Sequence, residues 1–123
     1  MDLSKQSELD QLAEAVKQAG HALNQARDRH RKLAAGEKNY LSALMMQIRN
    51  AHSSEKLSMA ELEMRARATQ EWSQYVDGVC AARFEVDRLE LEMNHAQQLW
   101  KGKQSDQSLQ RTIIQAGIYH RGG

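Results

Sequence analysis

The sequence predicts an all-α fold: a long antiparallel helical hairpin of coiled-coil type with a short C-terminal helix, assembled as an oligomer. Three observations carry that expectation. The 123 residues contain no proline, and glycine is rare before residue 102; Ala, Leu, Glu, Gln, Lys and Arg dominate, the composition of long helices. Two separate stretches keep an alternation of three- and four-residue apolar spacing, the second without a break. A serine-rich segment between them has the chemistry of a helix start.

The first arm is expected over residues 5–51. Leu9, Leu12, Val16, Ala19, Leu23, Ala26, His30 and Leu33 form one seam, Tyr40 and Leu44 continue its register, and Glu37 interrupts it. The turn is placed at residues 52–57, because Ser58 and Glu61 can each satisfy the other's free backbone amide, while Leu57 and Leu62 occupy the two positions of a hydrophobic staple. The second arm follows over residues 58–101, with Trp72, Tyr75, Val79, Ala82, Val86, Leu89, Met93, Ala96 and Trp100 on its seam.

Folding back near Ser54 and Glu55 makes facing residues sum to about 109, and the two seams agree with that register. Leu9 is set against Trp100, Leu12 against Ala96, Val16 against Met93, Ala19 against Leu89, Leu23 against Val86, Ala26 against Ala82, His30 against Val79 and Leu33 against Tyr75. Each arm of about 45 residues would be about 65–70 Å long at ~1.5 Å per residue. After Trp100, Gly102 predicts a break, and a short helix over 105–117 carries Leu109, Ile113 and Ile114 on one face, with a frayed end over 118–123. All of this makes one helical-hairpin domain.

A two-helix rod buries one stripe per helix, so apolar residues off the seam invite a second contact surface: Leu41, Met45, Ile48, Met59, Met64, Val76, Cys80, Phe84 and Leu99. Self-assembly or a protein partner is the expectation. A single cysteine excludes an internal disulfide, there is no secretion signal and no apolar run of about 20 residues, so a cytoplasmic protein without a membrane span is expected.

Little in the sequence points to catalysis. A thin hairpin offers no concave site. Cys80 has no histidine one turn away and sits beside Val79, where a small buried hydrophobe is expected. No two of the five histidines lie at i,i+4 on one helix, and there is no glycine-rich phosphate loop, so neither a metal nor a cofactor is expected. Glu85, Asp87, Glu90 and Glu92, interleaved with Arg83 and Arg88, read as solvated coiled-coil flanks.

Charge is more informative. The net charge is only +1, but residues 1–57 carry nine Lys and Arg against seven Asp and Glu, residues 58–102 five against eight, and residues 103–123 three against one. Arg27, Arg29, Arg31 and Lys32, followed by Lys38, form the densest basic cluster and the first candidate for phosphate contact. The bland alternative is a solvated face in which Arg29, Arg31 and Lys32 pair with Asp28 or with the acidic second arm. Lys101, Lys103, Arg111 and Arg121 make a sparser second group, with Trp100 and Tyr119 near enough to stack on bases.

The order of long helix, tight turn, capped long helix and short C-terminal helix resembles the small phage recombination mediators of the UvsY kind. The likeness lies around Tyr40-Leu41, in Ser58-Met59-Ala60-Glu61-Leu62, and from Trp72 to Leu99 with Tyr75 and Ala82-Arg83-Phe84-Glu85-Val86-Asp87-Arg88-Leu89, and spans residues 8–116. It implies a ring-forming protein that binds single-stranded DNA and helps load a recombinase onto DNA coated with single-strand-binding protein, in the host cytoplasm if phage-encoded. Carried onto this chain, Leu109, Ile113 and Ile114 become oligomer contacts, and Arg27, Arg29, Arg31, Lys32 and Lys38 line the DNA path. The competing class is a coiled-coil interaction module, such as an assembly factor, a secretion-stalk component or an inhibitor, with no nucleic-acid role.

Overall fold

The computed structural model describes the backbone of residues 3–121 and the side chains of residues 7–117. Every element is helical, with no strand among the described residues: α1 spans Leu3–Ala35, α2 Glu37–Ala51, α3 Met59–Arg67 and α4 Gln70–Arg121. The chain divides into two compact units, Gln25–Asp87 and Met1–Asn24 with Arg88–Gly123.

In the Gln25–Asp87 unit, α2 and α3 pack on each other across the turn. Ser58 is the N-cap of α3, and its hydroxyl accepts a hydrogen bond from the Glu61 N–H at 3.2 Å, as its spacing predicts. Leu62, at the staple position, is only 1% exposed. The core joins Leu44, Ala66 and Trp72, with Tyr40, Leu41, Met45, Ile48 and Val76 packed against it. Four of the side chains expected to face a partner, Leu41, Met45, Ile48 and Val76, are therefore used inside the chain. The second arm is not one helix from Ser58: α3 ends at Arg67, and Thr69 starts α4 by donating its hydroxyl proton to the Ala66 carbonyl and accepting from the Trp72 N–H at 3.1 Å. A threonine hydroxyl that serves both helix ends offers the backbone an alternative to continuing the ladder.

The first arm also divides, at Gly36. Tyr75 lies between Tyr40 and Trp72, its ring 4.5 Å from the first and 6.2 Å from the second. Its hydroxyl donates to the Leu33 carbonyl, the acceptor that an unbroken helix would reserve for the Glu37 N–H. A Cβ on Gly36 would stand 2.9 Å from that hydroxyl. Alanine at 36 therefore gains helix propensity of about 1 kcal/mol but displaces a stacked and hydrogen-bonded ring, and the expected net effect is a loss of about 1–2 kcal/mol. Gly20 is the contrast. A Cβ there meets only the flexible Met93 thioether, at 3.4 Å and beyond, so Gly20→Ala is expected to stabilise by about 0.5–1 kcal/mol. Paired urea denaturations check the opposite signs, and two shifts of the same sign would refute the Tyr75 argument.

In the other unit, Leu23 and Leu89 are buried, while Leu9, Leu12, Val16, Ala19, Met93, Ala96 and Trp100 are half-buried. Glu8 pairs with Lys103 at 2.9 Å. Met93 reaches Gly20 because a helical side chain leans toward its own N-terminus and covers the turn before it. The predicted break at Gly102 is absent, and the separate helix expected over 105–117 is part of α4. A lone exposed glycine costs about 1 kcal/mol, too little to stop a helix already propagating on both sides. The side chains of the tail, residues 118–123, lie outside the described residues. Cys80 is exposed rather than buried: one residue past Val79 turns it about 100° off the apolar stripe.

Candidate nucleic-acid interface

Arg27, Arg29, Arg31 and Lys32 lie on α1 and Lys38 on α2, all exposed, in the Gln25–Asp87 unit. Helical geometry sorts them. Arg27 and Arg31 are one turn apart on one face, and Lys38 falls two turns beyond Arg31. Gly36 keeps right-handed helical angles, φ −81° and ψ −5°, so the face carries across the α1–α2 junction. Arg29 points to the opposite side of the helix, where it lines a shallow cleft of about 280 Å³ with Ala26, Gly78, Ala81, Ala82 and Glu85. A carboxylate in that cleft opposes phosphate.

Asp28 tempers the cluster. It pairs with Arg31 at 2.5 Å and with Lys32 at 2.8 Å, and the hydrogen bonds from Lys32 and then Arg31 hold its carboxyl below the usual carboxylate range. Both cations are thus partly neutralised at neutral pH. Lys38 and Arg29 have no ion pair among the described residues.

The second basic group is on α4 in the other unit. Lys101 and Arg111 are exposed, but Lys103 is tied to Glu8, and Trp100 is half-buried, so it packs more than it presents a face for stacking. Arg121 and Tyr119 have side chains outside the described residues. Leu109, Ile113 and Ile114 are 60%, 61% and 61% exposed, an open apolar band along this end of α4. Among the described residues, no group of three His, Cys, Asp or Glu side chains is placed to hold a metal ion, and no helix is long and apolar enough to cross a membrane.

One feature escaped the pattern of spacing. Between α2 and α3, Ser42, Met45, Met46, Arg49, Met59 and Leu62 line a cleft of about 150 Å³. The Arg49 guanidinium rests 3.7 Å from the Met59 sulfur and has no ion pair among the described residues. Spacing says nothing of a concavity, which forms only where side chains fail to fill the groove. No family model matches the chain, and neither does any curated protein or solved structure.

Proposed function

We propose that the chain is a non-enzymatic accessory protein that binds single-stranded DNA and acts as an oligomeric recombination mediator, helping to load a recombinase or an annealing protein in the cytoplasm. In this reading the helices form one antiparallel coiled-coil hairpin that carries DNA and partners by position, without chemistry. The exposed stripe of Arg27, Arg31 and Lys38 along one face of α1 and α2 is its main support, together with the likeness to UvsY-type mediators. A stripe of cations attracts a phosphate backbone without regard to sequence. A net charge of +1 makes one copy a weak binder, and repetition around an oligomer supplies avidity.

Fluorescence anisotropy with a labelled single-stranded oligonucleotide over a salt series tests the proposal. Affinity is expected to fall steeply with salt, with a log–log slope of about −0.7 per phosphate contacted. Asp28→Asn sharpens the test, since it releases Arg31 and Lys32 and is expected to raise affinity several-fold at low salt. Absence of binding at low salt would sink the proposal.

The second reading is a protein-interaction module with no DNA role. Its support is the exposure of large apolar side chains, Met59, Met64, Phe84, Leu91 and Leu99 among them. It expects salt-insensitive capture of a partner helix, and Asp28→Asn leaves that capture unchanged.

A further inference from the structure

We infer that the cleft between α2 and α3 receives Phe84 of a second copy of this chain, with Arg49 at its rim meeting Asp87 of that copy. The inference rests on the oligomeric part of the proposal above and gives it a specific contact. Cleft and knob both belong to the Gln25–Asp87 unit.

The cleft measures about 150 Å³ and is walled by Met45, Met46, Met59 and Leu62. That volume suits one aromatic ring, about the size of the benzene that an apolar cavity of like volume holds. Three thioethers are good company for a ring, since sulfur packs favourably at aromatic edges and methionines adapt to an irregular guest. The walls already expose apolar surface: Met46 is 55% and Met59 64% accessible.

Phe84 is the chain's sole phenylalanine, and at 74% it is the most exposed large hydrophobic side chain among the described residues. It cannot fill the cleft of its own chain. Trp72 packs beside Leu44 in the core, and Phe84 lies twelve residues further along α4, about 18 Å at ~1.5 Å per residue. The cleft lies on the turn side of that core, with Arg49 and Met59 next to the α2–α3 connection. An intermolecular contact is what remains.

Ring shape selects Phe84, the one aromatic among the exposed large apolar side chains of the described residues, and charge supports it, since Arg88 one turn on is paired with Glu92. Asp87, also exposed, stands three residues after Phe84 on the same face, and Arg49 has only a thioether against its guanidinium. Leu91, Leu99, Leu109, Ile113 and Ile114 are exposed but aliphatic, and lack the ring edge that thioethers favour. Knob and cleft are different surfaces, so the contact either closes reciprocally in a two-fold dimer or runs head-to-tail into a ring or a filament.

Sedimentation velocity of the full chain without DNA tests this. The wild type is expected to gain mass with concentration, and Phe84→Ala, Arg49→Glu and Asp87→Arg each to weaken self-association by at least about tenfold; all three sites are exposed, so the fold is retained. Mixing Arg49→Glu with Asp87→Arg is expected to restore large species, because each junction in an alternating assembly then has opposite charges. A wild type that stays monomeric overturns both the inference and the oligomeric part of the proposal. An oligomer whose mass is unmoved by Phe84→Ala and Arg49→Glu overturns the inference alone, and failure of the mixture removes the Arg49–Asp87 pair. DNA binding, measured separately by anisotropy, stands or falls on its own.

Discussion

Trp72→Ala is expected to remove about 3–5 kcal/mol of stability, the range for deleting a large buried aromatic. The indole is 7% exposed and fills the core with Leu44 and Ala66. It also braces its neighbours: its ring lies 14° from parallel with Tyr75, and the Arg67 guanidinium sits 5.4 Å from its centroid. Losing it leaves a void beneath α2 and frees Tyr75, whose hydroxyl divides α1 from α2 at Gly36. Folded domains hold only about 5–15 kcal/mol in reserve, so the variant is expected to be largely unfolded at moderate urea. Trp100→Ala, at a half-buried site, should cost distinctly less. Urea titrations followed by far-ultraviolet circular dichroism decide it; equal losses at the two tryptophans would contradict a core centred on Trp72.

The second large effect concerns DNA. Removing Arg27, Arg31 and Lys38 together is expected to lower affinity for a single-stranded oligonucleotide by about a hundredfold at low salt, and to flatten the log–log salt slope by about 2, three contacts at ~0.7 each. These side chains are exposed, so stability should change by less than about 0.5 kcal/mol per site. Replacing Arg29 is expected to cost far less, because it faces the opposite side of the helix and shares its cleft with Glu85. If the triple variant binds as the wild type does, the DNA path belongs to Lys101, Lys103 and Arg111, or there is none.

The boundary between what is legible in the sequence and what is not follows interaction range. Residues on the predicted seams, from Leu9 to Leu44 and from Trp72 to Trp100, are buried or half-buried throughout, since which face of a helix is apolar depends only on spacing along the chain. The N-cap at Ser58 is equally local. Asp28, Arg31 and Lys32 lie within about one turn of each other, so their pairing is local as well.

Other features depend on atoms far apart in sequence. Gly36 is divided from α1 by a hydroxyl on residue 75, a contact across 42 positions, and no window around Gly36 contains it. Gly102 looks like a breaker but is helical, because a penalty of about 1 kcal/mol is outweighed by the helix on either side. Met45 and Ile48 sit off the seam, yet they pack against the core of Leu44, Ala66 and Trp72. Sequence alone determined the helices, their apolar faces and the capped turn, through periodicity and backbone capping. Tertiary structure alone decided where those helices divide, which spare apolar residues are covered and where a cleft stays open, because each depends on side chains that only packing brings together.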